Sequence, residues 1–309
     1  MINKEKNFIS AVLYVGENMD IAPDFVKMIA GELYENFEHY EIICVNDGLD
    51  DSATEPLKAL SGDVKNGVLS VVNMSYRQGV ELSMSAGVDL AIGDFVYEFD
   101  NIAAKFDKSL IMDIYRRCLT GFDIVSAAPK KSRGSSKLFY RLYNRFSENP
   151  TKIRTETFRI LTRRAINRVN SMSDTLPYRK AQYAACGLKC DAVLYDATGV
   201  QKRTRDFETS RSDKAVDSLM LFTDIAYKGS LTMAIIMLCI SVFAVIYTLS
   251  AYFIIETAPG WATLMLFLSV AFLGVFGLFA VVIKYLTLLM ELVFKKQKYI
   301  IRSIEKITK

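Results

Sequence analysis

The chain has 309 residues, of which 51% are hydrophobic and 23% charged, with a formal net charge of +4. So small a charge gives no reason to expect a nucleic-acid partner, and the length allows one large domain with an appendage. The five cysteines (Cys44, Cys118, Cys186, Cys190, Cys239) lack the paired spacing of a metal site, so reduced thiols are expected. The lone histidine, His39, lies in a polar connection and reads as structural.

Phe8 to Val15 is a compact apolar run that predicts a first strand, followed by a helix from about Pro23 to Phe37 with proline in its first turn. Glu41 to Val45 predicts a second strand, stopped by the turn from Asn46 to Asp51 that opens the next helix. Val68 to Asn73 is a third strand, Gly79 to Ile92 a helix closed by Gly93, and Phe95 to Phe99 a fourth strand. A helix over Ser109 to Leu119 and a fifth strand over Gly121 to Ser126 continue the alternation. Such alternation implies βαβ units and a doubly wound, mostly parallel α/β sheet.

The fourth strand ends on Glu98 and Asp100, which share one face because strand side chains alternate with period two. Open α/β sheets place ligands at this end of their strands. The pair could hold a divalent ion and, through it, a diphosphate, or could simply form a solvated acidic turn. Further on, Pro129 to Lys137 is a basic loop, and Leu138 to Phe146 is aromatic and basic at helical spacing. Thr157 to Arg164 reads as a strand or turn entering a helix, Val193 to Tyr195 as a late strand, and Lys202 to Lys214 as a charged connection.

Leu231 to Ile255 and Trp261 to Ile283 carry no charged side chain, and each is long enough to cross a bilayer. Lys228 precedes them, and Lys284, Lys295, Lys296, Lys298, Arg302, Lys306 and Lys309 follow, while the short link between them has no lysine or arginine. The positive-inside rule then predicts a multi-pass protein of the cytoplasmic membrane with both its N-terminal domain and its C-terminus in the cytoplasm. The expected division is a nucleotide-type domain over 1–201, a connection over 202–228, a two-helix transmembrane hairpin within 229–290 and a basic tail over 291–309 that lies along an anionic leaflet.

In this setting Val45-Asn-Asp-Gly-Leu-Asp-Asp51, Gly93-Asp94, Phe139-Tyr-Arg-Leu-Tyr-Asn-Arg145 and Phe158-Arg-Ile-Leu161 with Arg163 and Arg164 form an ordered set. The chain resembles family 2 glycosyltransferases of the polyprenyl-phosphate type, a group that includes dolichol-phosphate mannosyltransferases and bactoprenol glucosyltransferases. The resemblance implies a GT-A fold, a nucleotide sugar as donor, a divalent cation (Mg or Mn) on its diphosphate, and transfer to a polyprenyl-phosphate lipid; a homo-oligomer is compatible with it. It implies that Asp47, Asp100 and Glu17 serve the nucleotide sugar, and Lys105, a cation close to the end of the fourth strand, is a further candidate for its diphosphate. It likewise implies that Asp100 serves the metal, for which Glu98 on the same strand face is the second candidate, and the lipid phosphate it implies is matched by the basic side chains of Arg133, Lys137, Arg141, Arg145 and Arg159.

The sequence also departs from the family pattern where the chemistry sits. The second metal carboxylate is replaced by Ile102, with Lys105 nearby as a substitute charge. The position of the family's catalytic base is Thr157, which leaves the adjacent Glu156 as the remaining candidate. Three readings follow: a lipid-phosphate glycosyltransferase with an altered site, an inactive relative that partners an active transferase or a flippase, or a membrane-anchored domain of unrelated function that shares the motifs by chance, which their preserved order disfavours.

Overall fold

The structure is a computed structural model that describes residues 4–16, 18–130, 140–141, 143–145, 151–172, 178–196 and 299–308, with scattered helical residues between 232 and 289. It divides into two compact units, Met1–Ala215 with Lys296–Lys309, and Val216–Lys295. The first unit contains β1 (Ile9–Tyr14), α1 (Ala22–Asn36), β2 (Tyr40–Asn46), α2 (Asp51–Lys58), β3 (Gly67–Met74), α3 (Val80–Leu90), β4 (Phe95–Phe99) and α4 (Ser109–Leu119). It continues with β5 (Ile124–Pro129), β6 (Phe158–Thr162), α5 (Arg163–Met172), α6 (Arg179–Ala185), β7 (Cys190–Tyr195) and β8 (Ile301–Lys306).

The eight strands form one sheet in the order β7-β5-β6-β4-β1-β2-β3-β8. β1 pairs in parallel with β2 and β4, β2 with β3, and β5 with β7. β6 runs antiparallel to both β4 and β5, and β8 antiparallel to β3. The central parallel strands β1, β2 and β4 are almost wholly buried and mostly apolar because both faces of the sheet are covered there. Ile9, Ala11 and Leu13 pack with Phe25 and Ile29 of α1 and Ile111 and Tyr115 of α4, while Val12 and Tyr14 face Met84 and Val88 of α3 and Ile166 of α5.

The reversed strand β6 is what builds the site. Inserted between β4 and β5, it brings its own N-terminal end beside the C-terminal end of β4, so that Arg159 lies opposite Glu98. Phe158 stacks on Phe99 at 4.9 Å and meets Phe106 at 4.5 Å, holding the turn after β4 against the core. Ile102, at 3% exposure, is part of that core. Its position points inward, which physically excludes it from ligation.

Gly48 follows β2 with φ of +78°, and a Cβ there would lie 2.5 Å from Arg77 N and 2.6 Å from Tyr76 C. Both the left-handed backbone and the backbone contact oppose a side chain. Gly48→Ala is expected to destabilise the fold by about 2 kcal/mol in urea unfolding; a loss below about 0.5 kcal/mol would contradict this account of the turn.

Two expectations change. The basic tail placed along a leaflet supplies the edge strand β8 instead. Leu69 N–H donates to Thr308 Oγ1 at 2.8 Å, and Glu305 pairs with Lys58 at 3.0 Å. Its alternation of apolar and charged residues is the period of a half-exposed strand as well as of a surface segment. The runs 231–255 and 261–283 lie for the most part outside the described residues. Among the described residues no helix is long and apolar enough to cross a membrane, which overturns the expected multi-pass location in the cytoplasmic membrane. An uncharged run reports composition alone, whereas a crossing needs roughly 20 consecutive helical residues, and no described helix supplies them. Within the second unit, Met237 and Met233 pack against Gly274 and Gly277, so two helical stretches meet at glycine.

Candidate functional site

At the C-terminal end of β4 a cluster of charged side chains closes between the sheet and α6. Arg159 of β6 is 2% exposed and reaches three carboxylates: Glu98 at 3.0 Å, Asp100 at 2.7 Å and Glu156 at 3.2 Å. Arg179, in the first turn of α6 and 4% exposed, reaches Glu81 at 3.1 Å, Glu98 at 3.1 Å and Asp100 at 2.5 Å. Lys180 pairs with Glu156 at 3.2 Å, and the Tyr183 hydroxyl donates to Glu98 Oε1 at 2.5 Å. Four carboxylates thus face three cations. Buried, such ions attract one another by about 4 kcal/mol per pair at 4 Å and an effective dielectric near 20, against a desolvation penalty of several kcal/mol for each ion. The network therefore specifies geometry more than it adds net stability.

The carboxylates respond differently to this setting. Burial raises Glu98 above the usual carboxylate range, and Arg179 and Arg159 only partly oppose it. Burial also acts on Asp100, but Arg179 and Arg159 outweigh it and hold this group well below its ordinary value. Glu156 likewise lies low, burial being outweighed by Arg159 and Lys180. A group with a depressed folded pKa contributes stability above its unfolded value, near 4, and loses it as pH falls through the folded value. Glu98 has the opposite sign, since a raised folded pKa favours folding at low pH. Asp100→Asn is therefore expected to be less stable than wild type at pH 7, by a gap that narrows in urea unfolding as pH falls below about 4. Glu98→Gln, which mimics the protonated form, should show a smaller deficit at pH 7. Equal deficits for the two variants would refute the assignment.

The other sequence-predicted residues fall in several places. Asp47 is buried, and its carboxylate accepts from Tyr14 Oη at 2.9 Å, Gln78 N at 2.7 Å, Gly79 N at 2.9 Å and Ser83 Oγ at 2.8 Å. It pins the loop before α3. Lys105 is exposed on the turn after β4. The Thr157 hydroxyl bonds to Tyr195 Oη at 2.6 Å. Glu17, Arg133 and Lys137 lie outside the described residues. Arg163 donates to the carbonyls of Ala91 and Gly93, and Arg164 grips Asp123 through two nitrogens, so both anchor α5.

Beside the cluster lies a basic cleft in two parts. An inner cavity of about 90 Å³ is lined by Ser126, Thr151, Glu156, Arg159 and Lys180, among others. Both Arg159 Nε and Lys180 Nζ are buried beside it; Arg159 Nε makes no hydrogen bond, and Lys180 Nζ has only its ion pair with Glu156. An outer cavity of about 370 Å³ is bounded by Tyr140, Arg141, Asn144 and Thr155. Lys152, Ile153 and Arg154 line both. Asn144 holds this wall in place, donating to Ile153 O at 2.8 Å and accepting from Ile153 N at 2.9 Å. Arg141 faces the outer cavity, and Arg145 is exposed one residue beyond Asn144.

Sequence reasoning missed Arg179, Lys180, Lys152 and Arg154. The first two belong to a short helix with no distinctive periodicity. The only signal for the second pair was their position just before β6.

A divalent ion does not fit the acid pair as it stands. Both Asp100 oxygens and both Glu98 oxygens already meet guanidinium nitrogens. Among the described residues no group of three or more His, Cys, Asp or Glu side chains could hold a metal ion.

A parallel-dominated sheet with one reversed strand carrying charge to the end of β4 is a GT-A-like α/β domain. Its fold is shared with the Pyrobaculum calidifontis mannosyltransferase solved with GDP-Man and Mn²⁺ (11% identity, TM-score 0.51, 95% of this chain and 89% of that one). It is also shared with Mycobacterium tuberculosis glucosyl-3-phosphoglycerate synthase (14% identity, TM-score 0.53, 70% and 80%). The glycosyl transferase family 2 model matches residues 23–170. An uncharacterized glycosyltransferase of Synechocystis sp. is 27% identical over 76% of this chain and 75% of its own. A prophage bactoprenol glucosyl transferase homolog of Escherichia coli is 24% identical over 60% and 62%. The family match over residues 23–170 and the fold together support a transferase.

Proposed function

We propose that the chain transfers a sugar from a nucleotide sugar to the phosphate of a polyprenyl phosphate. The observation that carries this reading is the basic cleft, where Arg141, Lys152 and Arg154 line the outer cavity next to the charged end of β4. A phosphate monoester is matched by such charge-assisted donors. Several relatives of 24% identity are named as bactoprenol glucosyl transferases or their homologs, which supports the same class.

The acceptor chemistry also explains why Thr157 is tolerable. A phosphate monoester has a second pKa near 6 and is already an anion at neutral pH. Its oxygen attacks the anomeric carbon while the bond from that carbon to the nucleoside diphosphate breaks, the electron pair leaving with the diphosphate. No proton has to be removed from the nucleophile, so no strong base is required at position 157 or from Glu156. On this reading Asp47 orders the loop at the strand ends, where open α/β sheets take nucleotides, and Lys180 and Arg159 supply positive charge between donor and acceptor.

A second reading, an inactive partner of another transferase or a flippase, is favoured by the engagement of Asp100 and Glu98 with arginines. The separating experiment is a screen of radiolabelled nucleotide sugars with polyprenyl phosphate in detergent. Label in the lipid product that falls to background in Lys180→Ala, with the variant folded by circular dichroism, supports the transferase. A complete screen without incorporation supports the inactive partner.

A further inference from the structure

The acid pair at the end of β4 is matched, charge for charge, by side chains from two other elements. Arg159 and Arg179 bring two positive charges, the formal charge of a divalent ion. Their Nη2 atoms meet Asp100 Oδ2 and Oδ1 at 2.7 and 2.5 Å, and their Nη1 atoms lie 3.0 and 3.1 Å from Glu98 Oε2 and Oε1. A magnesium- or calcium-type ion on these carboxylates would sit roughly 2.0–2.6 Å from the same oxygens, in space the guanidinium nitrogens fill.

Neither arginine is placed to withdraw. Arg159 projects from a strand paired on both sides, and Arg179 is held at the start of α6 by Glu81, which accepts from both its backbone N–H and its Nε at 3.1 Å. Ile102, where a second aspartate would complete a metal pair, is committed to the core. Three separate features thus close the position to a metal: the engaged oxygens, the anchored cations and the inward isoleucine.

We propose that Arg159 and Arg179 replace the divalent ion in this domain, so that its diphosphate site works without metal. Arg159 and Lys180, the latter ion-paired with Glu156 at 3.2 Å, also line the inner cavity, and the buried Arg159 Nε makes no hydrogen bond. The part of this inference that concerns diphosphate rests on the nucleotide-sugar reading; the part that concerns the metal does not.

The test is a titration of the full chain with Mn²⁺ alone, followed by electron paramagnetic resonance, and with UDP and GDP in Mn²⁺ or in EDTA, followed by calorimetry. The expected result is no saturable Mn²⁺ binding at millimolar concentration and a diphosphate affinity that agrees within about twofold between Mn²⁺ and EDTA. Arg179→Gln, checked for folding by circular dichroism, is expected to gain Mn²⁺ binding because it removes the guanidinium from Asp100 Oδ1 and Glu98 Oε1, the oxygens that Arg159 does not hold. Saturable Mn²⁺ binding to wild type that is lost in Asp100→Asn overturns the proposal. So does a diphosphate affinity raised tenfold or more by Mn²⁺, and so does a folded Arg179→Gln indifferent to the ion. If neither diphosphate binds under any condition while Mn²⁺ is also refused, the replacement stands and the nucleotide-sugar reading fails.

Discussion

Arg159→Leu is expected to destabilise the first unit by about 3–5 kcal/mol, the range found when one partner of a buried ion pair is removed. The guanidinium sits at 2% exposure among Glu98, Asp100 and Glu156. Its loss leaves those carboxylates with only Arg179, Lys180 and the Tyr183 hydroxyl, and Glu98, at 0% exposure, with no access to solvent. Arg159→Lys should recover little, because one ammonium cannot span three carboxylates as a planar fork does. Adding Glu98→Gln to Arg159→Leu should recover part of the loss, since it removes the carboxylate that burial already disfavours as an anion. Urea unfolding of the single and double variants gives the coupling directly. A loss below about 1 kcal/mol for Arg159→Leu would mean that the cluster is hydrated and the packing argument is wrong.

The same cluster shows what was legible in the sequence and what was not. The strand Phe95–Phe99 and the helix Ser109–Leu119 have the bounds their composition predicts, because an aromatic run between Gly93 and Asp100 and an apolar stripe on a short helix are local signals. The fifth strand was expected from Gly121 but begins at Ile124. Gly121 has φ of +101° and belongs to the turn after α4. β7 is longer than the expected Val193–Tyr195, since Cys190 and Asp191 are only half-buried and carry no apolar signal. β8 escaped notice because its partner is more than 200 residues distant, as in the Asn73–Ser303 contact, and edge pairing leaves an alternation that a surface segment shares. Glu98 and Asp100 were found by period and position. What satisfies them was not, because Arg159 and Arg179 reach Asp100 across 59 and 79 residues, and no spacing rule connects a strand end to the first turn of a distant helix. The family motifs behaved similarly: Asp47, Asn144, Arg163 and Arg164 can be picked out in the sequence, yet each is engaged in holding the scaffold.

Lys152→Ala combined with Arg154→Ala is expected to lower kcat/KM for polyprenyl phosphate by about 10²-fold. Each charge-assisted hydrogen bond to the acceptor phosphate is worth about 1.5–3 kcal/mol, and both side chains are exposed, so solvent screening places the pair at the low end of that sum. Their exposure also protects the measurement. Neither side chain supports the core, so the melting temperature of the double variant should stay close to wild type while the lipid-phosphate KM rises. Affinity for the nucleoside diphosphate should fall less than affinity for the lipid phosphate, because the two residues line the outer cavity as well as the inner one, whereas Arg159 and Lys180 line only the inner one. Raising ionic strength should weaken the wild type toward the variant, since the missing term is electrostatic. Arg145→Ala is the comparison: it is equally exposed and does not line the cavity, so a loss as large as that of the double variant would point to general surface charge. If the double variant keeps the wild-type KM for lipid phosphate, the acceptor does not use the outer cavity, and the site of the phosphate must be sought at Lys180 and Arg159 instead.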